Sequence, residues 1–367
     1  MIFHWYLFLL VILAGILANY AGMTETITIN GEKEHRYTWL PVLLVVIPMI
    51  LTTAMRSSAI GDTSAYIAGF RNTIPSFSSI PTLLAQEGKD KGFGIFNVLI
   101  KMVIGERYRL YFGIIAAICL FCVTFVYRKY SSNFAMSMFL FLASSDYLQW
   151  THNGMRQFIA VCIIFAATDL LLKKRYIPYL LITLLASTIH ATALLMVPIC
   201  FIVQGRAWNI RSLLFTIAVL IAINFSGALS DLIVDFMSDT QYSGEVDQFL
   251  ATEGTNILRV FVFAVPPVFA LIFRRYLNAA HAPILDLSTN MSIISMGAYI
   301  VSAVTSGIFV GRIPIYFSLY NYILLPWLVE NVFDKKSQKL VYAALIACYM
   351  YFYYYQITVA WNLTGLV

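Results

Sequence analysis

Four arginines of this chain stand where chemistry on an anion would need them. They are Arg56 in "AMRSSAIGD", Arg156 in "HNGMRQF", Arg259 in "TNILRVF" and Arg312 in "FVGRIPIYF". Each lies at the end of an apolar run, and the last three open one. A cation at a helix N-terminus opposes the dipole, whose positive end is already there. The placement makes sense if an anion sits at the mouth. Helix N-termini and guanidinium forks are good diphosphate ligands. A single arginine also reads as an interfacial snorkelling residue, and Arg259 has no neighbours that say more. Arg156 and Arg312 do: Gly154 and Gly311 stand just before them, and Pro314 suits a helix start. His152, Asn153 and Gln157 add polar groups around Arg156.

A base would complete such a site. Asp62, in "GDTSAYIAGF", follows Arg56 by six residues and precedes Tyr66 by four. Asp90 comes later, in "KDKGFGIF". A carboxylate is ionised at neutral pH, and a nearby arginine keeps it so. It can then take a proton from an attacking hydroxyl. Asp62 also suits a helix N-cap, so both roles stay open. The third titratable candidate is His190, inside the apolar run "ITLLASTIHATALLMVP". An intramembrane histidine either lines a functional cavity or is hydrogen-bonded between packed helices. Tyr66, Tyr316 and Tyr320 read as ring-stacking groups or as part of an interfacial aromatic belt.

The elements that carry these residues are membrane helices. Of 367 residues, 60% are hydrophobic and only 11% charged. A soluble domain has about 25% charged residues. Apolar runs recur from end to end, each long enough to cross ~30 Å of hydrocarbon as a helix. The alternating segments of a β-barrel are absent. The composition predicts one all-α, polytopic transmembrane domain over 1–367. It has about ten full spans, at 2–20, 38–54, 108–127, 133–149, 155–172, 212–228, 256–273, 288–308, 314–332 and 340–361.

Orientation follows from charge. Cation clusters favour the cytoplasmic side: Arg128-Lys129, Lys173-Lys174-Arg175, Arg206 with Arg211, Arg274-Arg275, and Lys335-Lys336 with Lys339. The loop 229–255 carries Asp231, Asp235, Asp239, Glu245, Asp247 and Glu253 with no Lys or Arg, and is expected outside. The long segment 55–107 also falls outside, despite Arg71, Lys89 and Lys91, with a short surface helix around 77–88. Both flanks of 176–203 are cationic, so this segment must return to the side it left. Two full spans need roughly 40 residues, more than it has. It therefore reads as a re-entrant or shortened helical hairpin turning between Ser187 and Ala191, with His190 at its apex. Irregular backbone at that depth needs a protein-lined or wet setting.

Other classes fall away. The net charge of +6 resides mostly in orienting clusters, so nucleic acid is not an expected partner. The five cysteines lie in apolar runs and behave as small hydrophobes. No carboxylate cluster has metal-ligand spacing, so neither a metal nor another cofactor is expected. The run 2–20 lacks a basic start and reads as a retained span.

Five stretches resemble the EpsG family of exopolysaccharide proteins, related to Wzy-type glycan polymerases. They occur in the family's order between about Arg56 and Glu330. "RSSAIGDTSAY" is similar to the family's Arg…Gly-x-Asp-x-x-x-Tyr, and "DKGFGIFNVLI" to its acidic-Pro-Gly-Phe segment. "NGMRQFIA", "STIHATALLMVP" and "GRIPIYFSLYNYILLP" are similar to its other signatures. Gly61 and Asp62 are adjacent here, and Lys91 replaces the usual proline.

The resemblance implies a C-type glycosyltransferase-like enzyme of the bacterial cytoplasmic membrane, with its site facing outward. It would polymerise undecaprenyl-diphosphate-linked oligosaccharide repeats, with membrane lipid and a chain-length-regulating protein as further partners. Asp62 or His190 would be the base. Arg56, Arg156 and Arg312 would hold the diphosphate, with His152, Gln157, Asp90, Tyr66 and Tyr316 around the substrate. A flippase of the same lipid-linked glycan would use the same arginines but needs no base, and should show paired broken helices in inverted repeats. A membrane acyltransferase built on His190 is the third option.

Overall fold

The computed structural model describes residues 4–29, 32–85, 90–238, 244, 246–251 and 253–361. The chain forms two compact units, one of Met1–Leu194 with Ala343–Val367 and the other of Leu195–Tyr342.

The first unit begins with α1 (Trp5–Tyr20), an antiparallel hairpin of β1 (Thr24–Ile29) and β2 (Glu32–Tyr37), and α2 (Trp39–Ala54). Three shorter helices follow: α3 (Thr63–Asn72), α4 (Ser79–Ala85) and α5 (Lys91–Ile104). Then come α6 (Tyr108–Tyr130), α7 (Phe134–Ala143), α8 (Asp146–His152), α9 (Met155–Ala166), α10 (Thr168–Leu172) and α11 (Tyr176–Ile189). The centre is α6, which packs against α2 and α9, while α11 lies on both α9 and α5. The hairpin is fastened to α6 by cations: Arg128 Nε donates to the Tyr37 carbonyl at 2.7 Å and pairs with Glu25, and Arg36 Nε reaches the Lys129 carbonyl at 3.0 Å.

The second unit holds α12 (Met196–Ile202), α13 (Ile210–Asn224), α14 (Ser226–Ser238), α15 (Val246–Ala251), α16 (Ile257–Ile272), α17 (Arg274–Ala280), α18 (Pro283–Ala303), α19 (Ile315–Ser318) and α20 (Asn321–Val332). A last helix, α21 (Lys335–Tyr355), ends in the first unit. The unit is organised around α18, which touches α13, α16, α19 and α20 and is buried over most of its length. Its small residues Ser288, Ser292, Ser295 and Gly297 let helices approach, as in other membrane bundles. A side chain at position 297 would meet the Phe215 ring at 2.6 Å.

The chain is thus an integral membrane protein built of helices, with one small hairpin, β1–β2, among the described residues; it lies between the expected spans 2–20 and 38–54. Among the described residues, three helices are long and apolar enough to cross a membrane, or up to five if each bent pair is one span. The apolar runs behind the expected ten spans are present, but many are interrupted. Ser145 at φ 66° divides 133–149, and Ala167 divides 155–172. A bend of 94° separates α13 from α14, and one of 70° separates α16 from α17. In 176–203 the helix stops at Ile189 and a 3-10 turn, Ala191–Leu195, begins after His190. The break thus falls between Ser187 and Ala191.

The segment 55–107 is largely helical. Its surface helix is α4, with residues 86–89 outside the described set. Part of the acidic loop, including Asp239 and Glu245, also lies outside it.

Candidate active site

Arg156 is the second residue of α9, and three contacts fix where that helix starts. Gly154 stands at φ 71°, a conformation open to glycine, and turns the chain out of α8. Arg56, just past the end of α2, is buried and donates to the Thr151 carbonyl and, at 3.0 Å, to Met155 Sδ. Its guanidinium lies 3.7 Å from the centre of the Phe112 ring, a cation–π contact. Burial pulls the Arg56 guanidinium below its ordinary value, to about 10, so it stays a cation at neutral pH. Gly61, at φ 53°, packs on the other side of the same turn, where a Cβ would come within 3.1 Å of the His152 carbonyl oxygen. The adjacency of Gly61 and Asp62 therefore has a packing reason.

Asp62 follows directly at the N-cap position of α3, yet its side chain makes no capping hydrogen bond. It lines a pocket of about 240 Å³ together with Tyr66, Phe93, Asn97, Tyr111 and Arg156. Two of the walls are aromatic, with the Tyr66 and Phe93 rings edge to face at 6.2 Å. Tyr111 stacks on Phe70 at 4.3 Å and donates its hydroxyl proton to Asn97 Oδ1 at 2.9 Å. That bond commits the oxygen of the amide and leaves its NH₂ as the end with donors to offer. Lys101, buried on α5, donates to the Arg71 carbonyl at 2.6 Å and so caps the C-terminal turn of α3.

The corner behind the pocket is made by Asp90. Arg156 Nη1 donates to Asp90 Oδ2 at 2.9 Å, and the Ala191 amide donates to Oδ1 at 3.3 Å. Asp90 is the N-cap residue of α5 but does not cap it; its backbone lies at φ 55°, ψ 45°. The approach of α5 to α11 depends on Gly92. A Cβ there would clash with Thr188 Oγ1 and stand 2.8 Å from the Thr188 carbonyl carbon. His190 ends α11 beside this corner. Its Nδ1 accepts from the Thr192 amide at 3.4 Å and lies 2.8 Å from Thr192 Oγ1. With Nδ1 accepting, the neutral ring carries its proton on Nε2 and is a donor there.

The sequence candidates separate accordingly. Asp62, Tyr66 and Arg156 line one pocket, with Asp90 and His190 linked to it through the corner. His152 is buried, its Nδ1 3.1 Å from the Leu148 carbonyl of its own helix, and Gln157, on α9, is buried as well. Arg312 and Tyr316 belong to the second unit. Arg312 closes a 3-10 turn, Val310–Arg312, just before α19, and Tyr316 is buried. In that unit Arg259 is buried under a cation–π contact with Phe263 at 5.8 Å. The residues that sequence reasoning passed over are Phe93, Asn97 and Tyr111. Asn97 was the one with a signal, a lone amide in the apolar run "GIFNVLI".

Among the described residues no group of three or more His, Cys, Asp or Glu side chains could hold a metal ion. No curated protein and no solved structure matches the chain. The EpsG family model matches residues 39–363, and on that match, which takes in both units and the pocket described here, the chain belongs to the EpsG family.

Proposed function

We propose that this protein is an exopolysaccharide polymerase that joins lipid-linked oligosaccharide repeats by glycosyl transfer. The observation that carries the reading is the pocket itself: a carboxylate, Asp62, and a half-exposed guanidinium, Arg156, face one space of about 240 Å³ with two aromatic walls. That volume is suited to one sugar ring, whose C–H face would lie on Tyr66 or Phe93.

The reaction needs few parts. The acceptor hydroxyl oxygen attacks the anomeric carbon of the donor chain, and its proton passes to Asp62 as the C–O bond forms. The bond from that carbon to the diphosphate breaks, and its electron pair leaves on the diphosphate oxygen. Arg156 neutralises the charge developing there. Arg312 enters this reading only through the sequence and the family resemblance, as a further anion-binding residue for mutation to test. Attack opposite the leaving group inverts the anomeric carbon. His190, donating through Nε2, orients the diphosphate or the acceptor. Asp62 is preferred as base because its carboxylate does not cap α3, whereas the His190 acceptor nitrogen is engaged by Thr192.

The donor is then a polyprenyl-diphosphate glycan, the enzyme has a C-type-like architecture, and the site faces the outer side of a bacterial cytoplasmic membrane. The test is purified protein in lipid nanodiscs with a synthetic polyprenyl-diphosphate repeat unit. A ladder of products is expected. Translocation of the repeat in liposomes without any new glycosidic bond would replace this reading with a flippase.

A further inference from the structure

We infer that Asp90 is a positioning residue. It holds the Arg156 guanidinium and the chain break after His190 in one rigid corner, and does not itself touch substrate. The inference rests on the polymerase reading for its turnover assay only.

Exposure separates the two partners of the ion pair. The Asp90 side chain is 5% exposed and that of Arg156 is 40% exposed. Arg156 lines the pocket, while Asp90 is not among the described residues that do. The carboxylate therefore stands behind the guanidinium, with its other oxygen on the Ala191 amide.

The backbone is bent to achieve this. An aspartate at an N-cap ordinarily turns its carboxylate onto the first amides of its own helix. At φ 55° Asp90 instead sends both oxygens to other segments. Aspartate is among the few non-glycine residues that visit this region, because a short polar side chain can compensate it. Gly92 then lets α5 approach α11 closely enough for the Ala191 amide to be reached. Three segments remote in sequence, at 90–92, 156 and 188–191, are thus fixed by one carboxylate.

The consequence is a split between binding and turnover. Without Asp90 the guanidinium keeps its charge and loses a competing anion, so the ground-state diphosphate is held no more weakly. Its aim is lost, and a misplacement of about 1 Å can lower turnover on the order of 10²-fold. Residues that act through one group are also non-additive.

The test uses full-length protein in nanodiscs, with farnesyl diphosphate as the binding probe and single-turnover glycosyl transfer as the second readout. Asp90→Asn is expected to bind the probe at least as tightly as wild type and to turn over about 10²-fold more slowly. Arg156→Ala should bind weakly, and the double variant should match Arg156→Ala in both readouts. Asp90→Gly repeats the test on a residue at ease at this φ and should show the same split. Weaker probe binding by both Asp90 variants, or multiplied losses in the double variant, would overturn the inference, as would wild-type turnover in Asp90→Asn. If wild type makes no polymer, the polymerase reading fails, and probe binding by wild type and the four variants still tests whether Asp90 acts through Arg156.

Discussion

The Tyr111 hydroxyl and Asn97 Oδ1 meet at 2.9 Å across the wall of the Asp62 pocket, joining the first turn of α6 to the middle of α5. The bond sets which end of the amide can meet a ligand. Tyr111→Phe removes the donor and lets the amide turn over. A net hydrogen bond of this kind contributes about 1 kcal/mol, roughly a fivefold change. Tyr111→Phe should raise KM for the acceptor repeat severalfold with kcat little altered. Asn97→Leu should do the same more strongly. Initial-rate measurements at varied acceptor concentration check this; a fall in kcat alone would detach Asn97 from acceptor binding.

Asp62→Asn keeps the shape and hydrogen-bonding capacity of the side chain but cannot accept the proton. Loss of a general base lowers the rate by about 10²–10⁴-fold. Asparagine caps helices as well as aspartate does, so a capping role predicts a nearly silent change. Single-turnover assays with binding checked separately distinguish the two. Residual product should remain inverted at the anomeric carbon, which NMR of the purified oligosaccharide reads directly.

The arginines should divide by exposure. Arg156→Ala and Arg312→Ala are expected to abolish polymer while membrane levels of the protein stay near normal. Lysine should rescue poorly, since a point charge cannot reproduce a planar fork. Arg56 and Arg259 are both buried against aromatic rings. Their alanine variants should lower thermal stability first. Normal polymer from Arg156→Ala and Arg312→Ala together would end the diphosphate assignment.

Gly92→Ala probes the α5–α11 approach without touching a charged group. The added methyl meets the Thr188 backbone as well as its side chain, so the helices must part. Overpacking of this sort costs about 1–3 kcal/mol. The melting temperature should fall and polymer yield with it, because Asp90 is drawn off the Ala191 amide. Unchanged melting would mean that the two helices have slack that the contact distances do not allow.

Sidedness is open to labelling. In a chain whose native cysteines have been replaced, Ser78→Cys should react with an impermeant thiol reagent applied from outside. Ser337→Cys, beside the Lys335-Lys336 cluster, should not. Labelling at 337 from outside would invert the orientation and move the pocket to the cytoplasmic face.

Sequence alone was enough for the properties that depend on local composition. Apolar runs of helical length imply membrane helices whatever they pack against, because the backbone must satisfy its own hydrogen bonds in lipid. The polar interruptions of those runs marked Asp62, Arg156 and His190, and the arrest of α11 before His190 lies where Ser187, Thr188 and His190 cluster. The β1–β2 hairpin was missed, because attention to apolar runs of helical length passes over a short polar connection in which "TETITI" alternates.

Only the tertiary structure decided which faces of those helices look at what. In a soluble protein the apolar stripe of a helix points to the core; in a membrane, lipid and core are equally apolar, and the stripe carries little direction. So nothing in "KGFGIFNVLIKMVI" set Phe93 on a pocket wall, the lone amide of Asn97 marked a polar position without saying what it faces, and nothing near Arg56 turned it inward onto the Thr151 carbonyl. Asp90 and Arg156 are 66 positions apart, and their pairing exists because Gly92 lets α5 close on α11 while Gly154 and Arg56 set the first turn of α9. Such contacts follow from the volumes and backbone angles of residues remote in the chain, which no local pattern records.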